Sequence, residues 1–178
     1  MDKITELDSS TQDSPQDAEF IQITDSIEGE LCLRFKVPSG KEFALPASGV
    51  REVMTTTTDR IIPIPNASPF LLGTFNWRGQ VIWVADLGQF MGDQLMVNTD
   101  RTEIPVLIVE EQGIIMGFAV DSIANTEWLD LNKMEISGDI SDLIRPFLIG
   151  EYLLPGKEQI YLKLIDQVSI LRSPRWAT

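Results

Sequence analysis

The chemistry open to this chain is limited by the side chains it lacks. Its 178 residues include no histidine and a single cysteine, Cys32. Histidine is the commonest general base and metal ligand in proteins, so its absence removes every Ser–His and Cys–His nucleophile pair. Cys32 falls on the polar side of a strand pattern, beside no residue that would lower its pKa. The sequence also has no phosphate-binding loop and no Gly-rich nucleotide fingerprint. We therefore expect no catalytic activity and no bound metal, nucleotide or other cofactor.

A pair of carboxylates is the remaining arrangement that could be catalytic. Asp86 and Asp121 each end an apolar segment, so both could lie at strand ends that face one cleft. A small carboxylate-dependent hydrolase would need that proximity and an open cleft. Aspartates at strand ends, however, most often accept hydrogen bonds from the backbone of the turn or helix that follows. We favour capping for both residues, and the hydrolase stays an alternative that their placement can test.

Net charge and its distribution argue against two classes of partner. The formal net charge is −13, and residues 1–30 alone carry nine acidic residues and one lysine. Phosphate backbones and anionic lipid surfaces need a basic face, so we expect neither nucleic acid nor direct membrane binding. Residues 1–28 are polar and acidic, which predicts a disordered tail. No stretch reaches the roughly 20 apolar residues of a membrane span, and the N-terminus has no secretory pattern. We expect a cytoplasmic protein.

Short apolar segments separated by turn residues predict an all-β fold. Residues 31–37 alternate apolar and polar side chains, which is the period of a half-buried strand. Further strands are predicted at 43–45, 73–76, 81–85, 104–110, 114–121 and 159–164. Two short helices are predicted, one near residues 50–54 with Val50, Val53 and Met54 on one face, and one at 165–171. Strands of this length and spacing are typical of a β-barrel or a β-sandwich.

The chain also contains an internal repeat. The segment PFLLGTF at residues 69–75 returns as PFLIGEY at 146–152, and each copy leads through a glycine-containing turn into an apolar strand. A weaker match upstream relates residues 43–50 to 116–123. The two matches keep their order, at offsets of 77 and 73 residues. The repeat predicts two similar small β units, each too small to bury a core alone, that pack face to face and share one.

Several ordered motifs resemble the CheW family. The stretch from Gly73 to Leu87, GTFNWRGQVIWVADL, is similar to the family's pattern of a glycine, an apolar pair, Asn-x-Arg-Gly and an apolar strand closing on Asp-Leu. Residues 50–53, VREV, resemble its Val-x-Glu-Val element, and residues 117–121, GFAVD, resemble its second-half strand. Ile62, Pro63 and Pro65 resemble its extended approach to the hairpin. The resemblance covers about residues 30–172.

This resemblance implies a fold, partners and site residues. The fold would be two small five-stranded SH3-like β-barrels that share a hydrophobic core, with short helices. The domain would span residues 29–172, with 173–178 as a C-terminal tail. The protein would be a non-enzymatic adaptor that couples the cytoplasmic tips of methyl-accepting receptors to the regulatory domain of a CheA-type histidine kinase. The matched motif positions, which we take as partner-binding, are Val50, Glu52, Gly73, Asn76, Trp77, Arg78, Gly79 and Gly117.

Arg78 is the residue for which we most expect partner contact. It belongs to a tight turn in which Gly79 supplies a backbone angle that most residues avoid, so a solvated turn arginine is the plainer interpretation. Its neighbour Trp77 favours contact, since Arg and Trp are enriched at the energetic centres of interfaces. Trp83 departs from the family pattern and would either reshape a groove or fill the core. The Trp-containing hairpin resembles cyanobacterial pilus and phototaxis adaptors, so a pilus-motility pathway is an alternative to flagellar chemotaxis.

Overall fold

Two five-stranded sheets form most of the described part of this chain. The structure is a computed structural model, and it describes residues 29–156 and 159–177. The predicted acidic tail, residues 1–28, lies outside the described residues. The ten strands are β1 (Glu30–Lys36), β2 (Glu42–Pro46), β3 (Val50–Thr56), β4 (Leu71–Trp77), β5 (Gln80–Asp86), β6 (Ile104–Glu111), β7 (Ile114–Ala119), β8 (Ser122–Leu129), β9 (Leu148–Leu153) and β10 (Tyr161–Ile165).

Helices in the described chain are short and lie at the ends of strands. The two α-helices are α1 (Leu87–Phe90) and α2 (Gln167–Leu171). Single 3₁₀ turns occur at Ala47–Gly49, Thr58–Arg60, Leu131–Lys133, Arg145–Phe147 and Pro174–Ala177. None of the described helices is long and apolar enough to cross a membrane.

Each sheet combines strands from both halves of the sequence repeat. The first sheet runs β8-β1-β2-β10-β9 and the second runs β3-β6-β7-β5-β4. The repeat divides the chain into β1–β5 and β6–β10. The first hairpin of each half, β1-β2 or β6-β7, joins the last three strands of the other half in one sheet. The two predicted β units therefore exist as sheets of matching strand order, but neither unit is one half of the sequence.

Matching backbone hydrogen bonds occur at equivalent places in the two halves of the repeat. The N–H of Asp86 donates to Phe70 O at 2.8 Å, and the N–H of Asp166 donates to Phe147 O at 2.7 Å. Each aspartate then caps a short helix, Asp86 through the N–H of Gln89 and Asp166 through the N–H of Val168. Capping at Asp86 is the role predicted from its position at a strand end.

The predicted closed barrels are not confirmed. The hydrogen-bonded order of the first sheet ends at β8 and β9, and that of the second ends at β3 and β4. A closed barrel would require those end strands to pair with each other. Both units are thus five-stranded sheets, with few helices, and each has two edges.

A shared hydrophobic core lies between the sheets, as predicted. Its buried members come from both sheets and include Leu33, Phe35, Phe43 and Leu45 from the first, and Leu107, Val109, Met116 and Phe118 from the second. Each sheet also has a smaller cluster of its own. The strands are thus buried on both faces: one face packs on the shared core, and the other encloses the smaller cluster of its own curled sheet.

The helix predicted near residues 50–54 is wrong, because these residues form β3. The pairing of β3 with β6 is shifted between Val50 and Glu52, which marks a β-bulge. The extra residue shifts the in-and-out alternation of the side chains by one position. Val50 and Val53 therefore face the same side of the sheet, where they pair with Val109 and Leu107 of β6. The three-residue spacing that suggests a helix is therefore the consequence of a bulged strand.

The C-terminal segment packs against the rest of the fold. Trp176, within the predicted tail of residues 173–178, stacks on Phe90 with ring centroids 4.2 Å apart. Its indole N–H donates to Ile170 O at 2.7 Å, and its ring lies edge-on to Phe70. The last described turn of the chain thus contributes an aromatic side chain to the shared core.

Candidate functional site

A two-residue turn between β4 and β5 presents the candidate arginine. Trp77 and Gln80 are the last paired residues of the hairpin, so Arg78 and Gly79 are the two central residues. Their φ angles are 50° and 83°, and two positive values define a type I′ turn. The side-chain oxygen of Asn76 accepts the N–H of Gly79 at 3.0 Å, which closes the turn. Asn76 and Gly79 therefore build the turn that holds Arg78 outward.

Glu52 connects this turn to the far edge of the same sheet. Its Oε2 accepts a hydrogen bond from Trp77 Nε1 at 2.8 Å and an ion pair from Arg78 Nη2 at 3.0 Å. The Arg78 guanidinium also lies 5.2 Å from the centre of the Trp77 ring. Glu52 is on β3 and Trp77 is on β4, the two edge strands of the second sheet. The sheet must therefore curl until side chains from its opposite edges touch.

The exposure of these three residues suits a binding surface. The Arg78 side chain is 71% exposed and the Glu52 side chain 32%, while Trp77 is partly buried and packs against the core cluster of the second sheet. A guanidinium held on a rigid turn can donate several hydrogen bonds to carboxylate or carbonyl oxygens. Three of the predicted residues are thus brought together into one cluster, which we call the Glu52 cluster: Glu52, Trp77 and Arg78.

Three further predicted site residues, Val50, Gly73 and Gly117, have packing roles outside the Glu52 cluster. Val50, two residues before Glu52, packs against the shared core. A Cβ on Gly73, where φ is 150°, would lie 2.3 Å from Ile62 O, so this position admits only glycine without backbone movement. Gly117 lies inside the second sheet, where a Cβ would come within 3.0 Å of Val106 Cγ1. Partner binding by these three positions stays a prediction, and the structure gives each a packing role.

The carboxylate pair required by the hydrolase alternative does not share an open cleft. Asp86 is 1% exposed, and its Oδ2 accepts the N–H of Val97 at 2.8 Å. Burial raises the pKa of the Asp86 carboxyl, against the lowering effect of the backbone N–H groups that bind it. Asp121 is instead partly exposed and pairs with Arg101 at 3.2 Å. A buried cap and a surface ion pair contradict the geometry that a two-carboxylate hydrolase needs.

Cys32 is fully buried, so its predicted place on the polar side of β1 is wrong. It belongs to the cluster enclosed by the first sheet, with Leu129 and Leu162 among its neighbours. Burial, followed by the nearby charge of Glu30, raises the pKa of the thiol to about 12. A thiol with that pKa is protonated at neutral pH, which makes it a poor nucleophile.

Trp83 borders a cavity on the outer side of β5. The cavity has a volume of about 440 Å³, and its lining includes Ile64, Met116 and Trp176. Trp83 is 37% exposed and pairs across the hairpin with Thr74. Trp83 therefore lines this cavity and is not part of the buried core, while its effect on a binding groove stays a prediction.

The corresponding place in the first sheet has different chemistry. Here the cross-strand pair is Glu151 and Lys163, an ion pair of 3.2 Å beside a cavity of about 540 Å³. Glu151 is buried, which opposes ionisation, but the N–H of Ser137 and the ammonium of Lys163 hold its pKa below the usual value. The two repeat-related cavities therefore differ, one bordered by an indole and one by an ion pair.

Comparison with known proteins identifies the class to which this fold and hairpin belong. A family model described as the CheW-like domain matches residues 31–174. The chain is 28% identical over 141 residues to the chemotaxis protein CheW of Rhizobium meliloti (strain 1021), which covers 79% of this chain and 87% of that protein. The scaffolding protein TtCheW from Thermoanaerobacter tengcongensis shares the fold, with a TM-score of 0.64, 23% identity, and coverage of 78% of this chain and 89% of that one.

The chain belongs to the CheW-like domain family. The match spans nearly all of the described residues, including both sheets and the Glu52 cluster. Members of this family are scaffold or adaptor proteins of chemotaxis signalling, and the resemblance stated from the sequence motifs is confirmed.

Proposed function

We propose that this protein is a cytoplasmic adaptor that couples the tips of methyl-accepting receptors to the regulatory domain of a CheA-type histidine kinase. The observation that carries the proposal is the CheW-like family match over residues 31–174, which includes the hairpin with Arg78 at its tip. An adaptor needs binding surfaces and no reacting groups, and the exposed guanidinium beside an indole is chemistry of that kind.

A non-catalytic role is supported by the state of the groups that could react. The chain has no histidine, and burial leaves the Cys32 thiol protonated. Asp86 serves as a helix cap and Asp121 as an ion-pair partner. Across residues 29–156 and 159–177, no group of three or more His, Cys, Asp or Glu side chains is placed to hold a metal ion.

A pilus-motility pathway remains the second candidate within the same adaptor class. It rests on Trp77 and Trp83, the two tryptophans of the hairpin, and the structure places Trp83 at the border of a cavity. The two candidates differ in the kinase and receptors bound, so parallel binding measurements with regulatory domains from both pathways would separate them.

The proposal is tested by measuring partner affinity and stability together in the Arg78→Ala variant. Calorimetry with a receptor-tip fragment and with a kinase regulatory domain should show binding by the wild type. Arg78→Ala should weaken at least one affinity about tenfold, or about 1.4 kcal/mol. Its unfolding free energy should change by less than about 1 kcal/mol, since exposed ion pairs contribute little.

A matched control is Arg172→Ala, which removes an exposed arginine from the C-terminal end of α2. The control should bind like the wild type. Wild-type protein that binds neither partner would overturn the proposed function, while unchanged affinities in Arg78→Ala would remove Arg78 from the interface.

A further inference from the structure

One carboxylate oxygen in the Glu52 cluster serves two donors that differ in mobility. Trp77 Nε1 and Arg78 Nη2 both bind Oε2 of Glu52, at 2.8 and 3.0 Å. Trp77 is fixed, because its ring packs against the core cluster of the second sheet. The Arg78 side chain is 71% exposed and lies over the outer face of the Trp77 ring, so it can leave without moving a buried group. The two bonds can therefore break independently.

We propose that Glu52 and Trp77 control the release of Arg78 to a partner. Glu52 binds the guanidinium in the free protein, and the Trp77 indole N–H stays hydrogen-bonded to the Glu52 carboxylate when Arg78 turns to the partner. This inference rests on the proposed function, in which Arg78 binds an acceptor on that partner. Glu52 competes with the acceptor for the same guanidinium. Trp77 acts through Glu52, so it is a positioning residue whose indole N–H tunes the availability of Arg78.

The physical basis is the cost of an unpaired, partly buried carboxylate. The Glu52 side chain is 32% exposed, so a Glu52 without a protein donor would carry a desolvation cost that water offsets only in part. The Trp77 N–H lies 2.8 Å from the same oxygen and does not depend on Arg78, so it offers the carboxylate a second donor that offsets part of that cost. A donated hydrogen bond also spreads the carboxylate charge, which weakens its attraction for the guanidinium.

Two single variants should change the availability of Arg78 for a partner in opposite directions. Glu52→Gln keeps an oxygen that can accept from Trp77 but removes the charge that holds Arg78, so partner binding should tighten about two- to fivefold. Trp77→Phe keeps an aromatic ring at this position but removes the indole N–H, so the Glu52 carboxylate is left to bind Arg78 more strongly. Partner binding by Trp77→Phe should weaken by a similar factor.

The double variant separates positioning from direct contact. If Trp77 acts through Glu52, Trp77→Phe should have almost no further effect on affinity in the Glu52→Gln background. A loss of the same size in both backgrounds would show that the indole itself touches the partner, and that result would overturn the inference. Weaker binding by Glu52→Gln would overturn it too, because it would make Glu52 a contact instead of a competitor.

A second readout needs no partner. Phenylglyoxal modifies accessible guanidinium groups, and its rate at Arg78 can be followed by peptide mass spectrometry in the full-length protein. We expect the rate to rise in Glu52→Gln and to fall in Trp77→Phe, with the rate at Arg172 unchanged in both. Equal modification rates at Arg78 in the wild type, Glu52→Gln and Trp77→Phe would refute this control of Arg78. The rates need no partner, so failure of this inference can be distinguished from failure of the proposed function.

Discussion

At the residue scale, Arg78 occupies a backbone conformation that suits other residues better. Its φ of 50° lies in the left-handed region, where a side chain with a Cβ costs about 1 kcal/mol and where type I′ turns favour asparagine before glycine. The turn already has Gly79 in the following position. An arginine at this site therefore gives up some stability, which is consistent with its selection for contact instead of folding.

Replacing Arg78 with asparagine should expose this compromise. Arg78→Asn loses an exposed ion pair, worth about 0.5 kcal/mol, and relieves a strained backbone. The unfolding free energy should stay the same or rise by up to about 0.5 kcal/mol, while partner affinity falls. Urea denaturation and calorimetry on the same samples measure both quantities. A loss of more than about 1 kcal/mol of stability would show that Arg78 holds the hairpin together.

The sequence identifies the members of the Glu52 cluster but not their contact. Glu52 and Trp77 belong to separate motifs, 25 residues apart, and their meeting depends on the curl of a sheet whose edges are β3 and β4. Sheet curl follows from packing across several strands, which no local pattern encodes. The turn itself is different, because the Asn-x-Arg-Gly order specifies a two-residue hairpin turn locally.

At the element scale, strands with a clear apolar period were predictable and irregular ones were not. The predicted segments 104–110 and 114–121 match β6 and β7 closely. Strand β8, SIANTEWL, was not predicted, because its middle residues are exposed and its register is set by pairing with β1, far away in sequence. The prediction that Cys32 lies on the polar side of β1 was wrong for a related reason. A two-residue period implies that one face of the strand is solvated, but the curled first sheet covers that face.

The C-terminal turn offers a test of packing at this scale. Trp176→Ala would remove an indole that stacks on Phe90 and donates to Ile170 O, so the unfolding free energy should fall by about 2–4 kcal/mol. Trp128→Ala is the matched control, because Trp128 is 54% exposed, and its effect should stay within about 1 kcal/mol. Equal stability of the two variants in urea denaturation would contradict the observed packing.

At the scale of the whole molecule, exchange of hairpins between the halves makes the two sheets inseparable. Each sheet takes two strands from one half of the chain and three from the other. The repeat in the sequence predicts the likeness of the units, but the exchange is a property of long-range pairing that similarity between segments cannot reveal. Each sheet in the described chain therefore depends on strands from both halves.

The two related surfaces have diverged in their side chains. The pair Thr74 and Trp83 in the second sheet corresponds to Glu151 and Lys163 in the first. One pair joins a hydroxyl to an indole and the other is an ion pair, so the two surfaces differ in chemistry. The Glu52 cluster lies on the second sheet alone, which adds to this asymmetry.

The most direct test of the adaptor function is a bridging measurement. A receptor-tip fragment is immobilised, a CheA-type kinase is supplied in solution, and kinase retention is measured at increasing concentrations of this protein. We predict that retention rises with the concentration of wild-type protein and falls markedly when Arg78→Ala replaces it. Kinase retention that is the same with and without the folded wild-type protein would contradict the account.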